Sequence, residues 1–164
     1  MENITEVLVK KKRTGADEAK SFGVVLIAFV LSAFSVKFLG PACIIAIAAL
    51  VYLAYRIQMY FDLEFEYCVV DKEIRIDKIL GRKKRKDFVI VEGDQIEFIV
   101  KKTEVNTHEL KGTKVYFAAE TENDSDNYVI KANKGGLNFY IIIKGDEKMI
   151  AHINRVMPGK VRAR

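Results

Sequence analysis

Two apolar runs separated by a Gly-Pro pair dominate the first third of the chain. Residues 22–36 are followed by Lys37, Phe38 and Leu39; residues 42–55 continue through Arg56 to Tyr60. Each run covers roughly 18 residues and, as a helix, rises roughly 27 Å, close to the hydrocarbon thickness of a bilayer. A soluble helical hairpin needs polar residues on its outward faces, and these runs have almost none. Gly40-Pro41 reads as the turn between them. A cleaved secretory signal would account for the first run but would leave the second without a role. The pattern therefore predicts a two-helix transmembrane hairpin over residues 21–60. Lys37 and Arg56 sit near helix ends, where long side chains reach the headgroups, and Tyr52, Tyr55 and Tyr60 suit the interfacial aromatic belt. Ala28 and Ser32 on one helix, with Ala42, Ala46 and Ala49 on the other, are small enough for close approach, either within the hairpin or between two copies of it.

Basic residues in short flanks set the orientation. Lys10, Lys11, Lys12, Arg13 and Lys20 precede the first run, and only Lys37 lies near the turn. Both ends are expected in the cytoplasm, making this a multi-pass protein of the cell (inner) membrane. The arm over residues 1–20 leaves two readings open. Ile4, Val7 and Leu8 line one face of a short interfacial helix; Glu6-Val7-Leu8-Val9 serves equally as a strand added to a sheet.

After Tyr60 the period changes to two. Leu63, Phe65, Tyr67 and Val69 share one face, and Asp62, Glu64, Glu66 and Cys68 the other, as in a half-buried strand. Asp71-Lys72 turns the chain into a second strand over 73–80. Further strands are expected at 87–91, 95–101, 113–119, 127–132 and 137–144, joined by polar turns that include Gly81, Glu92-Gly93-Asp94 and Lys134-Gly135-Gly136. Asp146 is placed to cap a helix whose Met149, Ile150, Ile153, Val156 and Met157 fall on one face, and Pro158-Gly159 stops it. The expected fold is thus an α+β membrane protein: a transmembrane hairpin, then an antiparallel β-barrel or sandwich of six or seven strands over 61–158 with one C-terminal helix, and a basic tail over 159–164.

Charge changes this picture only by excluding partners. The net charge is +5, yet residues 61–164 carry 20 Lys/Arg against 18 Asp/Glu. A nucleic-acid-binding domain concentrates its positive excess in the folded part, so no nucleic-acid partner is expected. Two cysteines, Cys43 and Cys68, form neither a disulfide framework nor a zinc motif.

No constellation for catalysis, metal or cofactor emerges. His108 falls in a polar stretch, and His152 is expected as a surface side chain of the C-terminal helix. Glu120, Glu122, Asp124 and Asp126, with Asn123 and Asn127, lack the glycine and distal glutamate of an EF-hand loop and read as a solvated turn. The one stretch that suggests chemistry is Arg82, Lys83, Lys84, Arg85 and Lys86. Five cations tethered near a bilayer attract anionic headgroups at about 1 kcal/mol each. Along a strand, however, only every second side chain shares a face.

Residues 67–81 (YCVVDKEIRIDKILG) and 142–150 (IIKGDEKMI) resemble the first hairpin and the last strand–helix junction of bacterial membrane-anchored pleckstrin-homology-like (PH-like) domains, a likeness that covers roughly residues 22–157. It implies a PH-like domain behind a transmembrane pair and carries no catalytic residues onto this chain. The expectation is a non-catalytic, membrane-anchored binding or scaffold module. A protein partner would engage a sheet edge by strand addition or would meet the hairpin, the latter making the protein an accessory subunit of a membrane complex.

Overall fold

The computed structural model describes residues 5–105, 110, 112–122 and 124–162. Along them run β1 (Thr5–Lys10), α1 (Gly15–Leu39), α2 (Cys43–Gln58), β2 (Leu63–Val70), β3 (Glu73–Leu80), β4 (Lys84–Glu92), β5 (Ile96–Lys101), β6 (Lys114–Phe117), β7 (Asn127–Lys134), β8 (Leu137–Lys144) and α3 (Glu147–Val156). The chain divides into two compact units. One comprises α1, α2 and the β3–β4 turn (Lys12–Leu63 and Leu80–Lys84); the other holds the sheets and α3.

In the helical unit, α1 begins at a capping box. The Thr14 hydroxyl accepts from the Asp17 amide and the Asp17 carboxylate accepts from the Thr14 amide, both at 3.2 Å, which satisfies two of the donors that a helix start leaves open. A 3-10 turn over Gly40–Ala42 reverses the chain. The reversal is antiparallel: the Gln58 amide donates to the Ser21 carbonyl at 2.9 Å and accepts from the Ser21 hydroxyl at 2.6 Å. The half-buried seam runs along Ser21, Val24, Ala28, Ser32 and Ser35 of α1, and along Cys43, Ile47, Leu50, Ala54 and Gln58 of α2. Its hydroxyls turn back onto their own helix, Ser32 to the Ala28 carbonyl and Ser35 to the Ser32 carbonyl, each at 2.7 Å. The outward faces are apolar and exposed, with Phe22, Phe29, Ile44 and Ile45 all more than two-thirds accessible. Gly15–Gln58, taken through the turn, is the one described helical segment long and apolar enough to cross a membrane. The 25 residues of α1 rise roughly 38 Å and the 16 of α2 roughly 24 Å.

The second unit stacks two four-stranded sheets, ordered β1-β2-β3-β4 and β5-β7-β8-β6. Alternation puts Phe65, Tyr67 and Val69 of β2 and Ile74 and Ile76 of β3 into the core. β8 is buried on both faces over residues 139–143, the continuous apolar run that a central strand requires. Its Tyr140 and Ile142 join Ala119 and Val129 in a smaller cluster, against which Val105, Leu110 and Phe117 pack. Tyr67 ties the sheets together: its hydroxyl donates to the Ala118 carbonyl at 2.5 Å and accepts from the Lys144 amide at 3.2 Å. Burial pushes the Tyr67 phenol well above its ordinary range, so it stays protonated and able to donate. Asp146 caps α3 through the Met149 amide at 2.9 Å, and Met149, Ile153 and Met157 are buried.

Several expectations change. The arm is a strand, β1 pairing antiparallel with β2 from Thr5↔Val69 to Lys10↔Glu64; Ile4 lies outside the described residues. Residues 61–158 hold seven described strands, β2–β8, within the expected six or seven, and the arm adds an eighth; the set is not wholly antiparallel, because β6 lies parallel to β8. The sheets do not close into a barrel. No pairing joins β4 to β6 among the described residues; the rings of Phe88 and Tyr116 meet edge to face at 5.4 Å. His152 is buried, not at the surface, because its position on α3 adjoins the buried Met149 and Ile153. The edge of β5 is covered by the chain after α3: the Ile99 amide donates to the Lys160 carbonyl at 2.8 Å, and the Arg162 amide to the Ile99 carbonyl at 2.9 Å.

Candidate functional site

The basic stretch Arg82, Lys83, Lys84, Arg85 and Lys86 folds as a tight turn and the start of β4. Gly81 and Arg82 both take positive φ, 54° and 57°, and the Lys83 amide closes the turn on the Leu80 carbonyl at 3.1 Å. Two central left-handed residues define the hairpin turn whose twist matches its strands. Glycine adopts that conformation freely, whereas Arg82 does so at a cost of about 1 kcal/mol.

Within the helical unit this turn is held at the C-terminal end of α2. The Gly81 amide donates to the Asp62 carbonyl at 2.8 Å. A Cβ at Gly81 would lie 3.0 Å from Met59, so the side chain of Met59 closes over a position that only glycine leaves open. The Lys83 ammonium donates to the Tyr55 hydroxyl at 3.0 Å. That hydrogen bond raises the Lys83 pKa and keeps the ammonium charged.

The five cations differ in their surroundings. Arg85 pairs with Glu66 and lies 3.9 Å from Asp77, so its charge is spent on the outer face of its own sheet. Lys84 and Lys86, one residue to either side, are exposed. Of the small residues, Ala28, Ser32 and Ala46 are half-buried, while Ala42 and Ala49 are exposed. On α2, Ala46 is half-buried together with Cys43, Ile47, Leu50 and Ala54, and Ala42 belongs to the 3-10 turn.

The remaining candidates carry structure. Lys144 pairs with Glu120, the Asp124 carboxylate accepts from the Asp126 amide at 3.1 Å, and the Asn127 amide donates to the Thr121 carbonyl at 2.7 Å. No group of three metal-ligating side chains occurs among the described residues. His108 and Asn123 lie outside them. Cys43 and Cys68 are free thiols. Burial first, then the carboxylates of Glu6 and Glu66, raise the pKa of Cys68.

One feature of the sheet unit escapes sequence reading. A groove of about 720 Å³ opens along β4 and β6, lined by residues 88–90, by 112–114 and Tyr116, and by Lys134 and 137–139. β4 and β6 are the end strands of their two sheets, so the groove lies between two strand edges. The rings of Phe88, Tyr116 and Phe139 form one wall, with successive centroids 5.4 and 5.7 Å apart, and the buried Phe65 lies behind it, 5.8 Å from Phe88. Lys78 stands 3.5 Å from the Phe88 centroid and Lys114 4.7 Å from that of Tyr116. Burial, and then Lys11, lower the Lys78 pKa. Alternation announced each of these strands, but nothing in it says which two end strands will face each other.

The chain matches the family model described as "Bacterial PH-like domain (DUF6106)" over residues 1–163. No curated protein and no solved structure matches it.

Proposed function

We propose, from the premise that this chain belongs to the bacterial PH-like domain family, that it is a non-catalytic binding or scaffold module, anchored by its helical hairpin and presenting the PH-like unit at the inner face of the membrane. The observation that carries this reading is the helical unit itself. Its outward faces expose Phe22, Phe29, Ile44 and Ile45, while its few polar groups are satisfied along the seam. That is the arrangement a lipid solvent selects. For α2 to complete a second crossing, the 3-10 turn must add its roughly 6 Å to the helix.

Both termini are then cytoplasmic, and the β3–β4 turn stands at headgroup level beside Tyr55 and Arg56. There Arg82, Lys83, Lys84 and Lys86 attract anionic lipid, while Arg85 contributes little because Glu66 already neutralises it. In the second reading the protein is an accessory subunit of a membrane complex, and the exposed Ala42 and Ala49 offer a small-residue strip to another helix.

Topology mapping on the full chain tests the first reading. In a background with Cys43→Ser and Cys68→Ser, Leu39→Cys should react with a membrane-impermeant maleimide added to intact cells, and Ser125→Cys only after lysis. Labelling of both in intact cells, or recovery of the protein from the soluble fraction, would refute the anchored orientation. Neutralising residues 82, 83, 84 and 86 should lower recovery with anionic but not neutral vesicles after detergent dialysis at moderate salt.

A further inference from the structure

We propose that the groove between β4 and β6 is a docking site for an extended, acidic segment of a partner protein, which adds there as a strand. This deepens the reading of the PH-like unit as a binding module and is independent of the membrane anchor.

Three observations converge on one occupant. The first is the pair of edges. β6 spends one side on its parallel pairing with β8, and β4 is the last strand of its own sheet; the other side of each is unpaired with any described strand. An extended backbone satisfies such edge amides and carbonyls, and neither a globular surface nor an acyl chain does so. By contrast, the β5 edge is occupied by residues 160–162 of the chain itself.

The second observation is the wall. Phe88, Tyr116 and Phe139 give a continuous aromatic surface, and Leu137, three-quarters exposed, stands at its rim. Alternate apolar side chains of an incoming strand would face this wall, at the spacing of two residues that a strand imposes.

The third is charge. The charged side chains that line the groove, Lys114 and Lys134, are both cationic. Lys78, not part of that lining, stands over the Phe88 ring. Lys114 shares a face of β6 with Tyr116, so carboxylates on the wall-facing side of the incoming strand complement it, whereas a basic segment is repelled. Complementarity of this kind sets partner choice and register more than total affinity. The occupant is therefore an extended segment whose wall-facing positions combine apolar and acidic residues.

The test uses the full chain in detergent micelles and a pool of twelve-residue peptides, whose alternate, wall-facing positions carry apolar residues and Asp or Glu, with Ser or Thr between them. A matched pool carries Lys and Arg in place of the acids. Hydrogen exchange reads where binding protects amides. The expected result is selection from the acidic pool only, protection confined to β4 and β6, and at least tenfold weaker binding of the selected peptides to the Lys114→Gln/Lys134→Gln double variant. Both lysines are on the surface, so the variant should keep the wild-type melting midpoint. Lys101→Gln, on β5, serves as a charge control and should bind as wild type. Selection from neither pool, equal selection from both, or protection elsewhere in the sheets would overturn the proposal. So would protection of β4 and β6 by anionic lipid micelles without any peptide binding, which would assign the groove to lipid. None of these outcomes touches the maleimide topology, so failure here and failure of the anchoring model remain distinguishable.

Discussion

Phe29 and Phe65 are the same residue in opposite circumstances. Phe29 on α1 is 71 % exposed and Phe65 on β2 is 1 % exposed. The contrast extends across the two units. The sheet unit buries Tyr67, Val69, Ile74 and Ile76 and turns Glu66, Arg75 and Arg85 outward; the helical unit turns Phe22, Ile44 and Ile45 outward and keeps Ser32, Ser35 and Gln58 along its seam. In water, burial of apolar area drives folding at roughly 25 cal/mol per Å², and the helical unit forgoes most of that term. Two regions of one chain, only residues apart, thus follow opposite rules. With the helical unit anchored in a bilayer, as proposed, the two would fold in different solvents.

The most direct way to break the contrast is a charge on the outward face of α1. Phe29→Asp at a 71 % exposed site of a soluble helix should change stability by no more than ~0.5 kcal/mol. In a bilayer the same change should cost about 2.5–3.5 kcal/mol. The expected result is a several-fold drop in the carbonate-resistant membrane fraction, with the sheet unit still folded by tryptic protection. An unchanged fraction would mean that α1 does not face lipid.

Inside the sheet unit the penalty comes from space rather than solvent. A Cβ on Gly145 would lie 2.5 Å from the Asp126 carbonyl oxygen and 2.6 Å from the Tyr128 ring. Backbone at that distance does not yield cheaply, because the Gly145 amide is also bonded to the same Asp126 carbonyl at 2.8 Å. Gly145→Ala should destabilise the unit by about 2 kcal/mol, read as a lower melting midpoint. Gly136→Ala is the contrasting case. Nothing lies within 4 Å of its Cβ position, and only its φ of 83° resists the side chain, so the loss should be smaller.

The contrast also explains which parts of the molecule were legible beforehand. A uniform apolar run and a period-two alternation are local signals, and both survive folding: β2, β3, β8 and α3 begin and end within a residue or two of where alternation and the Asp146 cap put them. Partner choice is not local. The pattern of β6 gives its two faces but not its parallel alignment with β8, since that pairing skips β7. For the same reason the arm over residues 5–10, with Val7 and Val9 facing one way, suited both a strand and an interfacial helix until β2 offered it an edge. The basic stretch was legible as charge and not as geometry. Alternation warned that its members would separate, but only the fold shows Arg85 against Glu66 and Lys83 against Tyr55. The groove depends on two end strands meeting, which no single segment records.

Tyr67 sharpens the contrast from the buried side. Its hydroxyl links the two sheets through Ala118 and Lys144, so Tyr67→Phe leaves a buried carbonyl and a partly buried amide without that partner. The expected cost is about 1–2 kcal/mol. The pH dependence gives the signature. The unfolded phenol ionises near pH 10, and burial raises the folded pKa above that. The stability linked to Tyr67 is therefore fully present below about pH 10 and is lost as pH rises from there toward the folded pKa. Urea midpoints compared at pH 8 and pH 10.5 should fall less for Tyr67→Phe than for the wild type. An equal fall in both would assign the alkaline loss to other groups.

The smallest expected effect lies at the base of the hairpin, where the two units differ in how they use a hydrogen bond. Gln58 makes two bonds to Ser21, geometry that in the buried sheet core would be costly to lose. Within a helix pair in lipid, such bonds average only about 0.6 kcal/mol, because each partner finds another when separated. Ser21 has that alternative in its own helix, as Ser32 shows by bonding the Ala28 carbonyl one turn back. Gln58→Leu should therefore shift the hairpin's midpoint in a detergent titration only slightly, by about 0.6 kcal/mol, with helicity retained. A loss as large as that of Tyr67→Phe would mean that the Ser21–Gln58 pair sits in a dry, protein-like interior with no alternative partner, and would erase the distinction between the two units.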